Sequence, residues 1–189
     1  MKKITSYLQL LLTGLLITGA SALQAQSLNT NWRSNLKTSL NQFLSCTSIP
    51  SSKECVKFLG ESLQTVYKVN DFYAKSKYMN ATEVAAFLKK SKQWSVIGHA
   101  YEQNTLQQAQ DNANKKKAVV AAYINEAGVG HVVVITPGQV QSSGSWGLNV
   151  PNAVSFFLPQ PSKSFVDKSL AFAFTKAQLK DVVIYVRKY

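Results

Sequence analysis

The apolar positions of this chain fall into two regimes. From about residue 30 to 114 they recur at helical spacing, and from 118 onward they come as short β-branched and aromatic runs. Trp32, Leu36, Leu40, Phe43 and Leu44 share one face and predict a helix over 30–46, which Thr30 can cap. Cys46-Thr47-Ser48-Ile49-Pro50 breaks that pattern. A second helix is expected from Ser51 or Ser52, where Ser51 and Glu54 have the spacing of a capping box. Phe58, Leu59, Leu63, Val66 and Tyr67 give its buried stripe, and Cys55 falls in its first turn. A third helix is expected over 81–91, with Asn80 as cap, Glu83 three residues on, and Val84, Phe87 and Leu88 facing inward. Residues 94–100 are short and mixed, and 102–114 align Leu106, Ala109 and Ala113 on a modest helix.

The second regime opens with the strand Ala118-Val119-Val120-Ala121-Ala122-Tyr123-Ile124. A second strand covers 131–136, where His131 begins the run Val132-Val133-Val134-Ile135 and Pro137-Gly138 closes it. The link between them is short enough for an antiparallel pair. A polar Gly/Ser-rich loop over 140–152 carries Trp146, with a short strand expected around it. Further strands are expected over 154–158, 170–174 and 182–187. Helices first and then an antiparallel sheet make an α+β fold, N-terminal helices packed on the sheet.

The N-terminus reads as a processing signal. Lys2 and Lys3 precede the apolar stretch from Leu8 to Ile17, and Ala20-Ser21-Ala22 and Leu23-Gln24-Ala25 are small-residue cleavage sites. Residues 1–25 are therefore expected to be a signal peptide and 26–189 a single domain, periplasmic or secreted after cleavage and without a stable membrane anchor. The formal charge is +12, and +10 remains when Lys2 and Lys3 leave with the signal. An exported basic protein meets anionic walls and headgroups rather than nucleic acid. The basic clusters Lys89-Lys90 and Lys115-Lys116-Lys117 both read as solvated surface.

Against this background Cys55 and His131 are the residues with chemical potential. A thiol in the first turn of a helix meets the positive end of the helix dipole, which lowers its pKa. An imidazole at the start of a strand can serve as its base. The same composition supports a second reading. Cys46 and Cys55 are the two cysteines of the chain, and an even count in an exported protein favours a disulfide that would staple the first two helices. His131 would then be a structural histidine. The Cys and His spacings match no zinc pattern, so no metal or other cofactor is expected. The nine acidic residues form no pair with glycosidase spacing. His99 reads as structural or surface, and Trp146 as a residue able to line a substrate groove.

Cys55-Val56-Lys57-Phe58 at a helix start, followed by Gly130-His131-Val132-Val133-Val134-Ile135 on a strand, resembles the papain-like superfamily. Within it the likeness is to the NlpC/P60 and CHAP-type cell-wall cysteine amidases and peptidases. Val119-Val120-Ala121-Ala122, Pro137-Gly138, Ser143-Gly144-Ser145-Trp146-Gly147 and Val150-Pro151 add to the likeness, which spans about residues 50–160. Lys53-Glu54-Cys55-Val56 stands where NlpC/P60 proteins carry Asp-Cys-Ser-Gly. The resemblance implies an exported cysteine amidase or endopeptidase acting on peptidoglycan peptides. In it Cys55 attacks the amide carbonyl, His131 transfers the proton, and Asn149, or Asn152 next to it, holds the imidazole ring. Peptidoglycan is the implied partner, with a proteinaceous inhibitor as a second. The alternative is a non-catalytic exported binding or immunity-type protein stapled by a Cys46–Cys55 disulfide.

Overall fold

The computed structural model describes residues 27–48, 53–128 and 130–189. The expected signal over 1–25 and Ser51 of the expected capping box lie outside the described residues. Helix α1 (Trp32–Thr47) buries Trp32, Leu36 and Phe43, three members of the stripe read from the sequence. Cys55 lies in a 3-10 turn, Lys53–Val56, that runs directly into α2 (Lys57–Tyr67). The α-helix proper thus starts later than the sequence suggests, and Cys55 precedes it. A small hairpin, β1 (Tyr73–Ala74) and β2 (Lys77–Tyr78), leads to α3 (Ala81–Lys90). The expected capping box on α3 is present: the Glu83 N–H donates to Asn80 Oδ1 and the Asn80 N–H donates to Glu83 Oε2, both at 2.8 Å.

The mixed stretch after α3 is strand β3 (Trp94–His99), followed by α4 (Gln103–Asn114). Strands β4 (Val119–Ile124) and β5 (Gly130–Ile135) pair antiparallel in the register Tyr123↔His131 to Val119↔Ile135. A second hairpin, β6 (Gln141–Ser143) and β7 (Leu148–Val150), carries Trp146 in its turn, where Gly147 takes a positive φ. Then come β8 (Asn152–Ser155), β9 (Phe165–Ser169) and β10 (Val183–Arg187). The main sheet is antiparallel throughout, in the order β3-β10-β4-β5-β8-β9.

One sequence expectation fails in this half. Residues 170–174 do not form a strand; Leu170–Phe172 is a 3-10 turn whose start is capped by the Ser169 hydroxyl. The strand is the segment before it, Phe165-Val166-Asp167-Lys168-Ser169. As an edge strand it carries charges that an interior strand would not tolerate, which hides its β character in the sequence.

The interior of the sheet explains the β-branched runs. Val119 to Ala121 on β4 and Val132 to Ile135 on β5 are all buried, so these two strands are covered on both faces. Helices α2 and α3 pack against β5. The Tyr67 hydroxyl at the end of α2 donates to the Ile135 carbonyl at 2.6 Å, tying that helix to the far end of the strand. At the near end the constraint is steric. A Cβ on Gly130 would lie 2.8 Å from the Ala81 carbonyl oxygen and 2.8 Å from the backbone N and Cα of Thr82. The Gly130 N–H donates to Thr82 Oγ1 at 2.9 Å, so the strand start and the helix start are fastened where they nearly touch.

Gly130→Ala must push α3 away from β5. Overpacking of this kind costs about 1–3 kcal/mol, and the expected result is a Tm lower by roughly 2–10 °C for a domain of this size. Gly144, with open space around it and an ordinary φ, is the control: Gly144→Ala should leave Tm unchanged or slightly raised. Differential scanning calorimetry of the two variants checks this, and equal effects would remove the close approach as the cause.

Candidate functional site

His131 is the second residue of β5, and the antiparallel register places Tyr123 of β4 directly beside it. Continuing the β5–β8 register past Val134↔Val154 brings Ser155 and Phe157 to the same face as His131. Ser155 Oγ lies 3.2 Å from His131 Nε2. The imidazole packs between aromatic rings, with centroids 4.5 Å from Phe157 and 5.2 Å from Phe174. The residue is 7 % exposed. Burial disfavours the imidazolium and pulls the His131 pKa down to about 4. Near neutral pH the ring is therefore uncharged and carries one basic nitrogen.

Two cavities meet at this ring. The smaller, about 210 Å³, is walled by Cys55, Val56 and Leu59 on one side, by Asn80, Ala81 and Thr82 on another, and by His131 and Phe157. The larger, about 720 Å³, is walled by Tyr123, His131, Trp146, Ser155, Phe157 and Phe174 among others. Gly130, His131, Phe157 and Pro159 line both. Cys55 and His131, far apart in sequence, thus line one cavity. Cys55 also lies at the N-terminal end of a 3-10 and α-helical run, where the dipole is positive.

The sulfur of Cys55 is not a thiol, however. It is bonded to Cys46 of α1, with the two Cα atoms 5.8 Å apart. No free cysteine is present among the described residues. The sequence held nucleophile and disulfide as alternatives, and in this structure the disulfide is formed. The expectation of Cys55 as a free nucleophile is corrected accordingly: it has no electron pair to give until that bond is opened.

Asn149 is the second correction. It lies on β7, exposed, paired with Ser142, and its main chain is held by Gln103 of α4: the Asn149 N–H donates to Gln103 Oε1 at 2.8 Å and Gln103 Nε2 donates to the Asn149 carbonyl at 2.9 Å. Asn152 is set apart by the register: because β8 runs antiparallel to β5, Asn152 lies beyond Ile135, about 17 Å along the strand from His131. Its Nδ2 donates to Thr136 Oγ1 and to Asp167 Oδ1, and its N–H donates to Gln110 Oε1, a buried network that locks the other end of the sheet. The residue on the His131 ring is Ser155. Counting two by two along Asn152-Ala153-Val154-Ser155 in an antiparallel register was the signal that could have found it.

The remaining aromatic and His positions resolve simply. Trp146 does line the larger cavity, but as a buried wall, its Nε1–H donating to the Phe174 carbonyl at 3.1 Å. His99 ends β3 and stacks on Tyr101. No group of His, Cys, Asp and Glu suited to a metal ion occurs among the described residues. No helix among them is long and apolar enough to cross a membrane. The chain matches no protein-family model, and no curated protein sequence matches it.

The depressed His131 pKa has a consequence for stability. In the unfolded chain the imidazole titrates near 6.5, and in the folded chain at about 4. Between these values the unfolded state holds the extra proton, so stability is complete above pH 6.5 and falls as pH drops toward 4. The loss is on the order of 3 kcal/mol. Urea midpoints measured at pH 7 and pH 4.5 should therefore differ more for the wild-type chain than for His131→Gln. Parallel pH dependence in the two would mean that the ring is not desolvated.

Proposed function

We propose that this chain is a papain-like cysteine amidase or endopeptidase of peptidoglycan peptides whose nucleophile is stored as the Cys46–Cys55 disulfide. The observation that carries this reading is the shared cavity: Cys55 at the head of a helix and His131 at the head of a central strand line the same 210 Å³ space, with Ser155 on Nε2 of the ring. Chemistry begins with thiol exchange. An external thiolate attacks Cys46 Sγ, the S–S bond breaks, and Cys55 leaves as the thiolate. With Nε2–H donating to Ser155 Oγ, Nδ1 is the basic nitrogen and takes up, through solvent, the proton that the external thiol shed. The thiolate adds to the amide carbonyl, the imidazolium returns its proton to the leaving amine, and water then hydrolyses the thioester.

The position of Cys55 does not hang on the disulfide alone. Phe58, one turn on, packs against Phe43 of α1 and Phe156 after β8, with ring centroids 5.5 and 5.6 Å away, and Phe43 meets Phe156 at 5.3 Å. This aromatic cluster keeps α1 and α2 together when the sulfur link opens. A second reading is favoured by the disulfide itself: a binding or immunity-type protein in which the link is a permanent staple and the cavity holds a ligand without reaction.

Incubation of the purified chain with peptidoglycan, oxidised and after mild reduction, separates the two. Mass analysis of released fragments should show none from the oxidised protein and new amine termini from the reduced one. Cys46→Ala should cleave without reductant, Cys55→Ala should lose activity by about a thousandfold or more, and Ser155→Ala should lower kcat about tenfold with KM little changed. No cleavage by reduced wild type and none by Cys46→Ala would leave the stapled binding protein as the function.

A further inference from the structure

The larger cavity has a charge pattern of its own. Lys163, at the end of the 3-10 turn Pro161–Lys163, and Lys176, at the start of the turn Lys176–Gln178, come from separate segments and reach the same space. No Asp or Glu among the described residues lines it. Neither ammonium group has an ion-pair partner among the described residues, whereas Lys57 and Lys77 are paired with Glu61 and Glu83. The walls between the lysines are aromatic, and Phe172 stands 65 % exposed at the rim. A large apolar ring at the rim, with Lys168 Nζ 5.7 Å from its centroid, in a cavity that also carries two cations without ion-pair partners, is a surface suited to a ligand with both an apolar body and a negative charge.

We propose that this cavity is a subsite for a carboxylate-bearing peptide segment, with Lys163 and Lys176 as its anion contacts and Phe172 as its apolar platform. The occupant follows from continuity. The cavity shares His131 and Phe157 with the smaller one that holds Cys55, so a chain lying in it presents its neighbouring amide to the Cys55–His131 pair. In this respect the subsite rests on the amidase reading and adds its substrate class: the peptide carries a free carboxylate within a few residues of the bond presented. Lysine supplies a point charge rather than a bidentate fork, so the contacts select charge and reach rather than a planar geometry.

Binding to the oxidised full chain tests the subsite without any call on catalysis. The probes are a short fluorescent peptide with a free glutamate side chain and C-terminal carboxylate, and the same peptide with both carboxylates amidated. The carboxylate peptide should bind about tenfold or more tightly than its amide, and the preference should shrink with added salt. Lys163→Ala with Lys176→Ala should abolish the preference, while the control pair Lys115→Ala with Lys117→Ala, which removes the same charge elsewhere on the surface, should preserve it. Equal affinity for the two peptides, an equal loss from the control pair, or tighter binding of a glycerol-phosphate polymer than of the carboxylate peptide would each overturn the proposal. The two readings fail separately. Carboxylate binding with no hydrolysis after reduction sinks the amidase and keeps the subsite, and hydrolysis indifferent to the carboxylates does the reverse.

Discussion

The site depends on how closely the start of β5 approaches the start of α3. Backbone meets backbone at Gly130, with no room for a Cβ between the strand and Ala81 or Thr82. That contact fixes the distance between the wall made by Asn80, Ala81 and Thr82 and the strand that carries His131, and so one dimension of the cavity they share. The helix end itself is held by its capping box, which uses Asn80 and Glu83 to satisfy donors that would otherwise need water. A local cap, a glycine and a strand register therefore act together on one small volume. Widening the contact by even a methyl group moves all three.

Burial then decides the chemistry available there. An imidazole between two phenyl rings has little means of stabilising a positive charge, and its pKa falls to about 4. A thiolate released beside it would act in the opposite direction, since a nearby negative charge favours the imidazolium. On the amidase proposal, the neutral ring of the oxidised protein and an ion pair of the reduced one would be two states of one Cys55–His131 pair, with the Ser155 hydroxyl able to accept from Nε2–H in both.

Much of this was legible in the amino-acid pattern, for reasons that also mark where legibility stops. The stripes of α1 and α2, the cap of α3 and the pairing of β4 with β5 follow from local periodicity and turn chemistry, and the structure has them. The mixed strand β3 and the charged strand β9 lie at the two edges of the sheet, where one side is open and alternation is diluted. The partner of His131 was misassigned because Asn149 and Asn152 are near it in type and in sequence, while a strand reversal decides nearness in space. Ser155 is a hydroxyl in an apolar run and carries no signal unless the register is counted. Cys55 shows the opposite limit. Its helix-head position and its pairing with Cys46 were both readable, and both are present, so spacing alone had no means of ranking them.

The two roles of Cys55 are separable in energy. A link closing a loop of about ten residues removes chain entropy worth roughly 2–3 kcal/mol from the unfolded state. Against this stand three buried phenyl rings, Phe43, Phe58 and Phe156, each worth about 1.5–3 kcal/mol of burial, joined by edge and tilted contacts. The Phe43–Phe58 contact and the packing of both rings on Phe156 add to the disulfide, so α1 and α2 are not held by the bond alone. The bond's more particular effect is on Cys55, which lines His131's cavity: it keeps that sulfur covalently occupied.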